Sequence, residues 1–308
     1  MISNGSLAER IPRPAVCPSD PANLKPSAGG GLSFAAPHIC GLPECCVTSP
    51  YLAAALEAAE AAAAVIRMAY RGQFSVDYKA DASPVTEVDI AAEATIKAVL
   101  KSHFPEHGFY GEELGREVGD NEHLWLIDPI DGTKSFVRGY PMFSTQIALM
   151  HKGELVLGVS SAPCWDGALG EVMFAEKGQG AWCDNQRLQV SSADRLAQTT
   201  LSTGNLARLA RSPAWARLGE LIGRVHRIRG YGDFLHYHLL AGGKIDAIVE
   251  SDVNILDIAA LSVIVHEAGG VFTDLEGQPL GLDTTSVCAA TPGLHQQLLD
   301  MLRWTPPA

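Results

Sequence analysis

The chain has 308 residues, 47% of them hydrophobic, with a formal net charge of −12. That length holds one large domain or two packed halves, and the acidic balance argues against a nucleic-acid or anionic-membrane partner, which would need surplus Lys and Arg. No apolar run is long enough to span a bilayer, and seven cysteines without regular spacing read as reduced thiols of a cytoplasmic protein.

Residues 1–48 carry Pro12, Pro14, Pro18, Pro21, Pro26 and the run Gly29-Gly30-Gly31. Such a segment buries too little apolar surface to offset its chain entropy, so a disordered N-terminal extension is expected. Cys40, Cys45 and Cys46 lack the second spaced pair of a zinc site. An alanine-rich helix is predicted from Pro50 to about Arg71, with Gly72 as its stop. A second helix starts after Thr86, with Asp89 in the capping-box position, and runs to Phe104; residues 79–86 between them read as a polar loop.

A short strand over 108–111 ends on Glu112 and Glu113. Residues 124–127 are apolar without alternation, the pattern of a strand covered on both faces. They lead into Asp128-Pro129-Ile130-Asp131-Gly132-Thr133, where Pro129 holds Asp128 extended. Strand pairs are predicted over 143–150 with 154–161, and over 170–175 with 180–183. Beyond them come a strand (199–202), a helix interrupted near Pro213 (206–225), a strand (227–231), a helix (233–241) and a strand (247–250). A helix over 257–268 closed by Gly269-Gly270, a strand (287–290) and a helix (294–302) complete the chain. With no repeat and no linker between 50 and 305, residues 49–305 are expected to form one unit.

Glu112, Asp128, Asp131 and Asp257 each stand where one element meets the next, and Asp89 stands at a helix start. At ~4 Å and an effective dielectric of ~20, two carboxylates repel by about 4 kcal/mol. Such a cluster persists only if acids stay protonated or cations neutralise them. All-oxygen donors without His or Cys favour Mg²⁺, or Mn²⁺, over zinc. Gly132 and Thr133 offer N–H groups where an anion meets a helix start. Asp89 also reads as a helix-capping acid, Asp233 as the cap of the helix it begins, and Lys134 as either a phosphate neutraliser or a solvated side chain. His236 and His238, two apart on a helix, point to different faces and do not share a metal.

The order Glu112-Glu113, Asp128-Pro129-Ile130-Asp131-Gly132-Thr133 and Leu256-Asp257-Ile258-Ala259-Ala260 resembles the metal-dependent inositol monophosphatase superfamily over about residues 51–303. The resemblance implies an α/β sugar-phosphatase fold with alternating αβαβα layers. It also implies a phosphomonoesterase in which Glu112, Asp128, the Ile130 carbonyl, Asp131 and Asp257 bind Mg²⁺. In that family pattern Asp89 and Thr133 activate the attacking water, and the N–H groups of Gly132 and Thr133 cradle phosphate. Leu256 departs from it, since Trp usually stands there. The segments Arg229-Gly230-Tyr231-Gly232-Asp233-Phe234 and Ile245-Asp246-Ala247-Ile248-Val249-Glu250 look most like the histidinol-phosphatase branch, as do Ser135-Phe136-Val137-Arg138-Gly139 and Ser161-Ala162-Pro163. That likeness makes Glu250 and Asp233 substrate-binding candidates, with Asp252 beside them. Acids at the pocket mouth suit the ammonium and imidazole of histidinol phosphate. Inositol 1-phosphate, a 3′(2′),5′-bisphosphate nucleotide and a regulatory binding role on the same fold are the alternatives. The resemblance further implies a homodimer, with the first helix near its contact.

Overall fold

The computed structural model describes residues 49–72, 74–79, 84–165 and 170–304; the extension expected over 1–48, with Cys40, Cys45 and Cys46, lies outside them. In chain order the elements are α1 (Pro50–Tyr70), β1 (Val76–Tyr78), β2 (Pro84–Thr86), α2 (Glu87–His103), β3 (Gly108–Gly111), β4 (Gly115–Glu117), β5 (His123–Asp131) and α3 (Thr133–Val137). There follow β6 (Ser144–His151), β7 (Glu154–Ala162), β8 (Glu171–Glu176), β9 (Gly180–Cys183), β10 (Gln186–Arg187), β11 (Thr200–Thr203), α4 (Ala207–Ala210) and α5 (Ala214–Ile222). The last are β12 (Arg227–Arg229), α6 (Asp233–Ala241), β13 (Ala247–Ser251), α7 (Ile255–Glu267), β14 (Val271–Thr273), β15 (Ser286–Ala290) and α8 (Pro292–Leu302).

The layers follow from which faces are apolar. An eight-stranded sheet runs β10-β9-β8-β7-β6-β5-β3-β4, and a five-stranded sheet runs β12-β11-β13-β15-β14. On one side of the larger sheet α1 and α2 pack through Ala55, Ala59, Ile66, Ala92 and Ile96, meeting Trp125 and Ile127 of β5. On the other side Leu126 joins α6 and α7 and the inner face of the smaller sheet, including Ile248 and Ala289. Leu218 of α5 and Leu294 and Leu298 of α8 cover the smaller sheet's far face. The result is the expected α/β order of αβαβα, and it explains why 124–127 are apolar throughout: both faces of β5 are covered.

The helix ends are set by local chemistry. Ser49 Oγ accepts from Leu52 N at 3.1 Å to open α1, with Pro50 in the first turn. Thr86 and Asp89 form the capping box of α2. Two expectations need correction. Pro84–Thr86, read as loop, forms a strand that pairs with Val76–Tyr78, so Thr86 ends a strand and caps a helix at once. The helix expected from Asp257 begins at Ile255 instead, because Asn254 caps it. Strands β1, β4, β10 and β14 went unforeseen; at two or three residues they are too short to show a period.

Gly158 of β7 lies directly beneath α7, where an added Cβ would stand 2.3 Å from the Ala260 carbonyl oxygen and 2.8 Å from its Cα. Backbone cannot yield as a flexible side chain does, so Gly158→Val should destabilise the protein by about 3 kcal/mol. Chemical denaturation would check this, and a loss under about 1 kcal/mol would mean that α7 shifts freely. Among the described residues no helix is long and apolar enough to cross a membrane.

Candidate active site

Asp128, Asp131 and Asp257 converge, with ligand oxygens all within 4.8 Å of one another. A β-bulge makes this possible. Asp128 pairs with Gln146 and Asp131 with Ser144, so three steps along β5 match two along β6. Side chains alternate along a strand, and residues three apart would otherwise face opposite sides. Pro129, which has no N–H to give the ladder, occupies the irregular stretch, and Thr145 Oγ1 donates to its carbonyl at 2.8 Å. Asp128 Oδ1 accepts from Ile130 N at 3.0 Å.

Asp257 arrives from the first turn of α7. Asn254 donates to it twice, from the backbone N at 2.9 Å and from Nδ2 at 2.6 Å, while its own Oδ1 caps Leu256 N at 2.7 Å. Glu112 is tied to the end of β5 by its N–H, which donates to the Ile127 carbonyl at 3.1 Å. Lys79 Nζ holds Glu112 at 2.8 Å and Glu113 at 2.7 Å. Burial works against the Lys79 charge, but the ion pairs with Glu112 and Glu113 outweigh it and raise the pKa. Behind them the buried Glu93 accepts from the N–H groups of Glu113 and Leu114 and pairs with Lys97 at 2.9 Å, fixing the turn that carries both glutamates.

Burial pushes the carboxyls of Asp128 and Asp131 well above the usual carboxylate range. Repulsion adds to it, from Glu112, Asp131 and Asp257 on the first, and from Asp233, Asp257, Glu250 and Glu112 on the second. Asp257 is pushed up to about 7, chiefly by burial, against the two bonds from Asn254. An all-carboxylate cluster that holds protons this tightly fits a hard divalent cation, which would neutralise the same charge. Asn254→Ala should loosen Asp257 and weaken divalent-cation binding about tenfold, at a stability cost near 1 kcal/mol. Unchanged cation affinity would show that the cap does not orient Asp257.

The other predicted residues gather around this cluster. Asp89 is buried and raised by desolvation, against hydrogen bonds from the Thr86 N–H, the Thr86 hydroxyl and Thr133. The Thr133 hydroxyl lies 3.2 Å from Asp89 Oδ1 and 3.0 Å from the Ile130 carbonyl, two acceptors for one hydrogen. The capping reading of Asp89 is therefore correct, and its second oxygen still faces the site. Gly132 has φ 92° and starts α3; a Cβ there would meet the Met142 carbonyl at 2.7 Å, so only glycine fits. Lys134 is exposed.

Glu250 is buried and fully held: Tyr237 Oη donates to it at 2.6 Å, His236 Nε2 lies at 3.1 Å and Asn205 N donates at 3.1 Å. Burial opposes its charge, but His236, Tyr237 and Asn205 together pull its pKa down, so it remains a carboxylate. Asp233 opens α6 with φ 44°, and the N-cap position itself is held by Gly232. Desolvation first, then Glu250, raises its pKa. Asp252 instead accepts from Arg208 N at the start of α4. His236 and His238 do face different partners, Glu250 and Glu171. Lys79, Glu93, Asn254 and Tyr237 were not foreseen as site residues; only Asn254, three before Asp257, carried a local signal.

A second group, His107, Asp120 and His123, also brings ligand atoms within 4.8 Å. The two rings are stacked 4.2 Å apart at 5°, so their in-plane lone pairs do not converge, and Trp125 Nε1 already donates to His107 Nδ1. It reads as a packing stack rather than a metal centre.

The inositol monophosphatase family model matches residues 48–305. Histidinol-phosphatase of Mycobacterium tuberculosis is 39% identical over 232 residues, covering 74% of this chain and 87% of its own length. Inositol-1-monophosphatase of Mesorhizobium japonicum is 33% identical over 232 residues, 74% of this chain and 86% of its own. Among solved structures, the extragenic suppressor protein SuhB of Bartonella henselae superposes with a TM-score of 0.75 at 30% identity, covering 83% of this chain and 99% of that one. With its convergent acids, its layered fold and these matches, the chain belongs to the inositol monophosphatase family and is a phosphomonoester hydrolase.

Proposed function

We propose that the protein is a Mg²⁺-dependent histidinol-phosphatase, cleaving L-histidinol phosphate to L-histidinol and phosphate in histidine biosynthesis, with Mn²⁺ as an alternative cation. The observation that carries the metal-dependent hydrolysis is the convergence of Asp128, Asp131 and Asp257 on one point. In this reading Glu112, the Ile130 carbonyl and the three aspartates hold the cation. A divalent cation there supplies Lewis-acid polarisation of the phosphate and a water acidified toward neutrality. Asp89 and Thr133 orient the attacking water, with Asp89 positioned to accept its proton, and Glu112 supports this side of the site. The N–H groups of Gly132 and Thr133, at the start of α3, hold the phosphate oxygens.

The substrate reading is supported by the 39% identity to a histidinol-phosphatase and by the charges at the mouth. Asp233 adds an acid beside Asp131, and the buried Glu250 behind it, kept ionised by its partners, adds negative potential to that end of the site. A cationic substrate is favoured there over a neutral polyol. The free cysteines Cys164, Cys183 and Cys288 support a cytoplasmic location, and family resemblance supports a homodimer. Phosphate release measured side by side on histidinol phosphate, inositol 1-phosphate and an adenosine 3′,5′-bisphosphate tests the choice. A preference of at least tenfold for histidinol phosphate is expected. A preference for inositol 1-phosphate would transfer the protein to the inositol branch, which the 33% identity to an inositol-1-monophosphatase makes the second reading.

A further inference from the structure

The face of the larger sheet that carries Asp128 is apolar where it meets α6 and α7, through Leu126, Ala148, Ala162 and Met173. One row of neighbours breaks that pattern. Asp128 on β5 pairs with Gln146 on β6, which pairs with Ser160 on β7, and His238 of α6 reaches Ser160. Gln146, Ser160 and His238 are each 2% exposed or less.

Chemistry sets the direction of each bond. Gln146 Nε2 donates to Ser144 Oγ at 2.7 Å and to Ser160 Oγ at 3.1 Å. Ser160 Oγ lies 2.8 Å from His238 Nε2, and with Nδ1 of that ring committed as donor to Glu171, Nε2 is the acceptor for the Ser160 hydrogen. A carboxylate only accepts, so His238 Nδ1 carries the hydrogen that is given to Glu171 Oε1 at 2.7 Å. That bond is the leading cause of the lowered Glu171 pKa. The chain of donors fixes the amide with its nitrogen toward the serines. What remains is Gln146 Oε1, buried and without a hydrogen-bond partner among the described residues. It belongs to the side chain directly across from Asp128, at the distance where cross-strand neighbours interact. Buried acceptors are rarely left unpaired, because water is lost and nothing replaces it.

We propose that Gln146 is a positioning residue of the cation site: its side-chain oxygen accepts a hydrogen bond from the hydration shell of the cation held at Asp128, and Ser160, His238 and Glu171 lock the amide in that orientation. This rests on Asp128 being a cation ligand. The row therefore extends the site across β5, β6 and β7 to Glu171 at the start of the next strand, β8.

The test is Mn²⁺ binding, titrated by calorimetry on the full chain without substrate, beside thermal melts of the metal-free protein. Gln146→Met keeps the side chain's length and removes the acceptor, and should weaken Mn²⁺ binding about tenfold with little change in melting temperature. Gln146→Glu keeps an acceptor and should bind at least as tightly as the parent. Ser160→Ala frees the amide to turn and should weaken binding a few-fold, while the double variant with Gln146→Met should be no weaker than Gln146→Met alone. Binding by Gln146→Met within twofold of the parent would overturn the proposal, as would losses that multiply in the double variant. If Gln146→Met does not fold, Ser160→Ala with parental affinity overturns it equally. Asp128→Asn separates the two levels: if it loses Mn²⁺ while Gln146→Met does not, only the role of Gln146 fails, and if it too binds like the parent, the cation site itself is misplaced.

Discussion

Asp131→Asn should lower turnover about a thousandfold or more and, in the same protein stripped of metal, raise the melting temperature by a few degrees. The two effects share one cause. Asp131 stands among Asp233, Asp257, Glu250 and Glu112, all of which raise its pKa. The oxygens of Asp131 and Asp257 lie within 4.8 Å of each other, and at ~4 Å a charged pair costs about 4 kcal/mol at an effective dielectric of ~20. An amide of the same shape cannot supply the charge that a cation needs, and it also spares the empty cluster an acid that must either carry a resisted charge or take up a proton. Losing about 4 kcal/mol of transition-state stabilisation is roughly three orders of magnitude in rate. Steady-state phosphate release and circular-dichroism melts in EDTA would measure both. A variant that loses activity and also melts lower would show that Asp131 serves packing, and substantial residual turnover would place the chemistry elsewhere.

The metal-free protein should lose stability as pH rises, and Mg²⁺ should abolish most of that loss. Asp257 binds its proton up to about pH 7 in the folded state, against 3.8 for an ordinary aspartate. A folded pKa above the unfolded one means that the folded state holds more protons in between. Its contribution is complete below about pH 4 and is lost as pH climbs through 7. For Asp257 that amounts to about 4 kcal/mol at most, and Asp128 and Asp131 are shifted in the same direction. By linkage, cation binding should release protons near neutrality and tighten as pH rises from 6 to 8. Melts at pH 5 and 8 with and without Mg²⁺, and calorimetry in two buffers of different ionisation enthalpy, read these effects. A metal-free protein equally stable at both pH values would contradict the protonated cluster.

Much of the site was legible because its residues sit where local patterns break. The apolar run 124–127 ending on acids, the capping box of Thr86 and Asp89, and the glycine before Thr133 each carry their reason in a few neighbouring residues. What stayed hidden depends on pairing between distant segments. Nothing near Lys79 announces that it binds Glu112, and nothing near Glu93 announces that it holds the turn after β3. The same is true of Gln146, Ser160, His238 and Glu171, which four separate elements bring into one row. The short edge strands escaped for a different reason: two or three residues cannot display a period of two.

The bulge between Asp128 and Asp131 also constrains how this protein can vary over evolutionary time. Three steps on one strand against two on its neighbour is a matter of parity, and parity survives substitution but not a change of length. Side chains in 128–131 and 144–146 can be exchanged one at a time with graded effects. Deleting or inserting a single residue there would turn one acid to the opposite face and end cation binding in one step. Lineages descending from this chain should therefore diversify freely in loop length elsewhere while keeping the spacing of this corner unchanged.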